Sequence, residues 1–341
     1  MIDGCKNIVI VGPDLDYLSE QAPDIPRPFQ LPRLKSAVVA PVRNEGIGLL
    51  EWIAHYRVLR FDSIFIYAND NSDGSDLLLE RLALLGVIKL RRNVVKSKIS
   101  PVRKARRHAL WLCPDVAEHD WVAFLDADEF LIPCINGRMA PSIGTFVDWV
   151  GHTTQCSAIC LNWKWFPGDR AFTRSEDVIF TRFRRSRPDN HVKTIFKIRD
   201  VVDIASAHHV LLRDGCFGVD GGGNRLAILD ARQPPAYDLG QVNHYWQKSF
   251  EEFHVKKERV RNFLMTQRDY GSFFKWWSPG EPDRYPDHAF IDRLRSEIEV
   301  LRALDGISAA ESKVRDRFRD LVGDRTALRQ TYDALSNEYR R

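Results

Sequence analysis

No stretch of the 341-residue chain is apolar over the roughly 18–20 residues that a membrane-spanning helix needs, which argues against a helical membrane protein. Cysteine is sparse: six residues, at 5, 113, 134, 156, 160 and 216, with no Cys-x-x-Cys. That scatter excludes a disulfide framework and reads as reduced, mostly buried thiols of a cytosolic protein, with the membrane surface as the alternative location. Cys156 and Cys160 with His152 lack a fourth ligand and sit in strand-like alternation, which argues against zinc. An excess of charge of one sign is also missing. Lys and Arg number 50 against 46 Asp and Glu, a net +4 that gives no case for a nucleic-acid partner. Met1–Lys6 lacks the charged-then-apolar plan of a secretory leader, and no repeat or low-complexity tract is visible. What is present is a 44% apolar chain, long enough for one large or two small domains.

The densest chemical signal is Trp121-Val122-Ala123-Phe124-Leu125 running into Asp126-Ala127-Asp128-Glu129. The apolar run reads as a buried strand, so the acids belong where it emerges at the carboxyl edge of a sheet. If the strand continues through them, Asp126 and Asp128 share a face and repel each other unless a cation intervenes. A hard divalent ion held by carboxylates and substrate phosphates is the usual solution. Asp-x-Asp after a strand also occurs in phosphatases that use the first Asp as nucleophile, but Glu129-Phe130 does not fit that pattern.

Prolines 23, 26, 28 and 32 mark an extended connector, which places an N-terminal strand and connector at 1–35. From Ser36 the periods alternate: strands at 37–41, 63–67, 87–90 and 121–125, helices beginning near Leu49, Leu77 and Pro101. That rhythm specifies an α/β fold, a mostly parallel sheet flanked by helices. A core domain is expected over 36–270, with a donor half at 36–135 and an acceptor half at 136–270. In the second half, strands are expected at 157–163, 178–183, 194–198 and 241–245, and helices at 249–268 and 288–304. A C-terminal helical extension follows at 271–341. Its Ile307, Val314, Leu321, Leu328 and Leu335 recur every seven residues, a seam that packs on its own domain or pairs with a second copy as a homodimer.

Two further polar turns follow predicted strands: Pro41-Val42-Arg43-Asn44-Glu45-Gly46 and Asn69-Asp70-Asn71-Ser72-Asp73-Gly74-Ser75. Each is an ordinary turn by itself, with Ser75 a helix N-cap. Convergence of three on one edge favours a nucleotide met by Arg43, Glu45 and Asp70. The basic runs Arg103–Arg107 and Arg182–Arg185 either face solvent or meet a diphosphate.

These blocks in this order resemble family 2 glycosyltransferases, the branch akin to family 92 with the GT-A fold. The resemblance continues through Trp165-Phe166-Pro167-Gly168, Lys193–Lys197, His208-His209, and Asn243-His244-Tyr245 with Lys248-Ser249-Phe250-Glu251-Glu252-Phe253 and Lys256, covering about 36–262. Pro167 inside the Phe-Gly loop and Arg259-Val260-Arg261 depart from the family pattern and place acceptor recognition in doubt. The resemblance implies a metal-dependent, inverting hexosyltransferase of polysaccharide biosynthesis. Its partners would be a nucleoside-diphosphate sugar donor and a glycan or lipid-linked acceptor. It further implies Asp126 on the ribose or metal, Asp128 on Mn²⁺ or Mg²⁺, and His209 or His244 as a late metal ligand. Pro41, Lys193 and Lys248 would complete the donor site.

An inverting transfer needs a carboxylate to take the acceptor's proton. Glu251 and Asp177 are the candidates, because Ser249-x-x-Glu252 reads as a capping box. Two rival readings are a sugar-nucleotide pyrophosphorylase, for which the first turn has too little glycine, and a non-catalytic glycan-binding relic, against which the intact acids speak. Trp163, Trp165, Trp276 and Trp277 either stack on sugars or pack the core.

Overall fold

In the computed structural model, residues 34–94, 100–257, 269–275 and 277–339 are described. The connector up to Arg33, the later part of the helix expected over 249–268, Arg259–Arg261 and Trp276 lie outside them. The first half alternates as its hydrophobic periods predict: β1 (Ser36–Val42), α1 (Gly46–Val58), β2 (Ser63–Ala68), α2 (Ser75–Leu84), β3 (Lys89–Arg92), α3 (Pro101–Trp111), α4 (Pro114–Ala117) and β4 (Trp121–Phe124). The middle of the chain holds β5 (Glu129–Ile135), β6 (Arg138–Met139), α5 (Ile143–Thr154), β7 (Ala158–Trp165), α6 (Ile179–Arg182) and β8 (Arg185–Lys197). β9 (Val201–Ile204), β10 (Val210–Leu212), β11 (Gly218–Val219) and β12 (Gly240–His244) follow. The chain closes with α7 (Phe250–Lys257), α8 (Gly271–Lys275), β13 (Glu281–Pro282), α9 (His288–Arg302), α10 (Ile307–Val322) and α11 (Arg325–Glu338).

The central sheet runs β3-β2-β1-β4-β8-β7-β12-β5-β6. β3, β2, β1 and β4 are parallel, so the turns that leave them share one edge. β8 then enters antiparallel beside β4, and β5 runs antiparallel to β12. Strand β1 shows the period of two that buries both faces. Val38, Ala40 and Val42 join a core with α1, α2, α9 and α10, while Ala37 and Val39 join a second core with Ala105 and Ala109 of α3. The result is a mixed α/β sheet covered by helices on both faces.

One expectation changes. Residues 178–183 form no strand: α6 begins there, and the Glu51 carboxylate accepts the Ile179 N–H (2.6 Å), stabilising a helical first turn. The seven-residue seam falls on two helices divided at Gly323 (φ 65°). Ile307 and Val314 pack into the core under α1 and α2, and Leu328 joins an aromatic cluster of Phe250, Phe253, Phe273, Phe274 and Tyr332. The seam's buried members therefore serve this chain. No described helix is long and apolar enough to cross a membrane.

Candidate active site

The turns after β1 and β2 are stitched together. Asn44 and Asp70 take left-handed backbone (φ 53° and 46°). The Asn44 N–H donates to Asn71 Oδ1 (2.7 Å), the Ser72 N–H to Asn44 Oδ1 (2.6 Å) and the Gly46 N–H to Asp73 Oδ2 (2.8 Å). Asp73 also accepts the Ser75 N–H and hydroxyl (3.1 and 2.5 Å), and the N-cap position of α2 falls to Gly74, so Ser75 is its first residue and not its cap. Pro41 is half-buried within β1, which runs on to Val42, Arg43 and Glu45 are half-buried in the turn that follows, and Asp70 is exposed in the turn after β2. A side chain at Gly46 would sit 2.8 Å from Val314, so α10 closes against this turn.

The acids do not continue β4. Residues 125–128 form a turn into β5, so Asp126 and Asp128 are brought near each other by a turn and not by a shared strand face. The turn is fixed through its backbone. Trp52 Nε1–H donates to the carbonyls of Asp126 (3.1 Å) and Glu129 (3.0 Å), and the Tyr245 N–H donates to that of Asp128 (2.9 Å).

Each carboxylate then meets a basic side chain. Asp126 accepts from Arg106 Nη2 (2.9 Å) and Lys193 Nζ (2.7 Å), and Lys193 lies 3.0 Å from Glu129 Oε2. Asp128 Oδ2 accepts from Lys256 Nζ (2.5 Å), and its Oδ1 is 3.8 Å from His244 Nε2. Burial alone would raise both aspartates, but Lys193 and Arg106 outweigh it at Asp126 and Lys256 at Asp128, holding both below the usual carboxylate range. Glu129, fully buried, goes the other way: burial pushes its carboxyl up to about 8 against the pull of Lys193. Burial likewise pushes His244 down to about 4, leaving a neutral ring packed 4.0 Å from the Trp163 ring.

The sequence-derived candidates divide. Asp126, Asp128, Lys193 and His244 converge. Lys248, in left-handed backbone (φ 54°), puts its ammonium 4.0 Å from Glu45, and Gly168 passes so close to the Lys248 carbonyl that any Cβ would collide with it. His209 hydrogen-bonds Ser206 (2.9 Å), and the acid that acts on its ring is Asp230. The capping box is present: the Ser249 N–H and hydroxyl donate to Glu252 Oε2 (3.1 and 2.7 Å), which also pairs with Arg182. Glu251 is engaged elsewhere than expected of a base, accepting the Arg174 N–H (2.9 Å) and pairing with Arg325 of α11 (2.9 Å). Asp177 lies at the surface, 3.8 Å from Arg295.

Arg106, Glu129 and Lys256 are site residues that the sequence reading did not select. The signal was available for two of them. Arg106 falls among the buried positions of α3 beside Ala105 and Ala109, and Lys256 continues the Phe250, Phe253 spacing of α7's buried face. A base in an apolar register requires a partner acid.

Asp126, about a third exposed, opens onto a cavity of about 400 Å³ lined by Ser100, Arg103, Arg106, Ser206 and Ala207. The side chains fit a divalent ion poorly. Both Asp126 oxygens and one of Asp128 accept from cationic side chains. The other Asp128 oxygen lies 3.8 Å from His244 Nε2. A metal-bound histidine normally donates its second ring N–H, whereas His244 Nδ1 is buried without a hydrogen-bond partner. Among the described residues no three His, Cys, Asp or Glu side chains gather as a metal site.

Comparison with protein-family models finds no match, and comparison with curated proteins finds none. Solved structures give low-identity matches. TarS from S. aureus is 13% identical over 89% of this chain and 83% of that one, with a TM-score of 0.33. Glucosyl-3-phosphoglycerate synthase from Mycobacterium tuberculosis, in complex with Mn²⁺, uridine diphosphate and glucosyl-3-phosphoglycerate, is 14% identical over 49% and 58%, with a TM-score of 0.27. A putative glucose-1-phosphate thymidylyltransferase from Bacillus anthracis is 12% identical over 49% and 72%, with a TM-score of 0.29.

Proposed function

We propose that the protein is a GT-A-type glycosyltransferase of the family 2 kind. It would move a hexose from a nucleoside-diphosphate donor to a hydroxyl of a glycan or lipid-linked acceptor. One observation carries the reading: three polar turns leave adjacent parallel strands on one edge, and the acid of the third, Asp126, opens onto a cavity of nucleoside size beside Arg103 and Arg106. Arg43, Glu45 and Asp70 supply donors and acceptors for the nucleotide, and Asp126 accepts from a ribose hydroxyl.

In the transfer, the acceptor oxygen bonds to the anomeric carbon as the bond from that carbon to the diphosphate oxygen breaks, and the acceptor's proton is taken up by solvent. The pair of the breaking bond remains on the diphosphate. Charge therefore develops on the phosphate side, where fixed positive groups stabilise it most. The resemblance points to inversion at that carbon. A pyrophosphorylase is disfavoured because its triphosphate needs an open glycine-rich turn, and here Gly46 is closed off by Val314.

Hydrogen exchange measured with a panel of nucleotide sugars tests the placement. The matching donor protects 41–46, 69–75 and 126–129 together. Protection confined to other segments would remove the site from this edge.

A further inference from the structure

We propose that the donor's diphosphate is met by the ammonium of Lys256, with Lys248 beside it, and that its binding requires no divalent ion. The inference rests on the donor reading above and concerns what neutralises the phosphates. Lys256 projects from the last turn of α7 on the buried face set by Phe250 and Phe253. Its ammonium is held by Asp128 Oδ2 and by the Trp246 carbonyl (3.3 Å). Lys248 and Lys256 line one small cavity with Asn44, Glu45 and Asp73, at the turn where the phosphates of a nucleotide on this edge would lie.

The charges of the acidic turn are already matched. Asp126, Asp128 and Glu129 face Arg106, Lys193 and Lys256, three bases against two ionised aspartates and a glutamate that burial keeps largely protonated. A divalent ion bound through Asp128 Oδ2 would have to displace the Lys256 ammonium and would add two positive charges to a cluster whose negative charges are already matched. The acids here act as anchors for basic side chains, and those bases, held in place, meet the incoming anion. His244 then serves as a neutral wall between Asp128 and the Trp163 and Trp165 rings.

Calorimetric titration with UDP, GDP, ADP, CDP and dTDP, each with excess EDTA and again with Mn²⁺, tests this on the intact chain. At least one diphosphate should bind in EDTA with affinity within about 3-fold of that in Mn²⁺. Lys256→Met should weaken it roughly 10- to 100-fold, the loss of one charge-assisted hydrogen bond, with Lys256→Arg recovering most of it and the parent nucleoside unaffected. Binding that appears only with Mn²⁺ would overturn the inference and leave the donor reading standing. Absence of binding in both conditions would overturn the donor reading itself. The wild-type comparison decides even if Lys256→Met fails to fold.

Discussion

Glu252 and Glu251 are neighbours in sequence with opposite consequences on substitution. Glu252 is buried with Arg182, each side chain 6% exposed, and burial, which alone would raise its carboxyl, is outweighed by Arg182, Lys248 and Arg174, bringing it down to about 2. Glu252→Gln keeps the shape and an oxygen for Ser249, but leaves Arg182 buried without a counter-charge. Breaking a buried pair costs about 3–5 kcal/mol. The retained hydrogen bonds offset part of that, so a loss of about 2–4 kcal/mol is expected, a large share of the roughly 5–15 kcal/mol of a typical fold. Glu251→Gln still accepts the Arg174 N–H and loses only its pair with Arg325, whose side chain is 59% exposed. Such half-solvated pairs contribute about 0–1 kcal/mol. Urea unfolding followed by circular dichroism reads both, and the donor-transfer rate of Glu251→Gln should stay within about 3-fold of wild type. Equal stability losses in the two variants, or loss of transfer with intact folding in Glu251→Gln, would refute this division of roles.

Two more expectations follow from the same geometry. Burial pushes His55 and His208 down to about 3 and His244 to about 4, so below pH 6.5 the unfolded chain takes up protons that the native one refuses, and stability falls with pH. Glu129, raised to about 8, opposes this between about pH 8 and 4.5 by protonating in the native state. The net of roughly two protons sets an upper slope of about 3 kcal/mol per pH unit near pH 5; urea midpoints that stay level from pH 7 to 5 would contradict it. Trp52→Phe removes the indole donor shared by the Asp126 and Glu129 carbonyls, and about 1–3 kcal/mol of stability should go with it, with nucleotide affinity falling because the acidic turn loosens; a fluorescence titration checks the latter.

The parallel half of the fold was legible because its strands and helices carry clean periods: Val38, Ala40 and Val42 alternate with Ala37 and Val39, and Leu78, Leu79 and Leu82 mark one face of α2. The β5 strand was not, since Glu129-Phe130-Leu131 follows the acids without a turn signal, and its pairing with β12 is a contact across more than a hundred residues. The polar side chains of the turns were readable from residue type. Which cation meets which acid was not, because Arg106, Lys193 and Lys256 come from three separate elements and only the folded chain sets them against Asp126 and Asp128. Glu251 kept its partners hidden for a related reason. Its position after His244-Tyr245 suits a base, but α11, distant in sequence, supplies Arg325 to it.

The central claim is transfer from a nucleotide sugar, and the most direct measurement is release of nucleoside diphosphate from a panel of UDP-, GDP-, ADP-, CDP- and dTDP-linked sugars, with and without Mn²⁺. One donor class should be turned over to its free nucleotide, and Asp126→Ala should lower that rate by roughly 10- to 100-fold, the scale of losing one charge-assisted hydrogen bond to the ribose. No release from any donor in either condition, by protein whose unfolding transition is intact, would contradict the account.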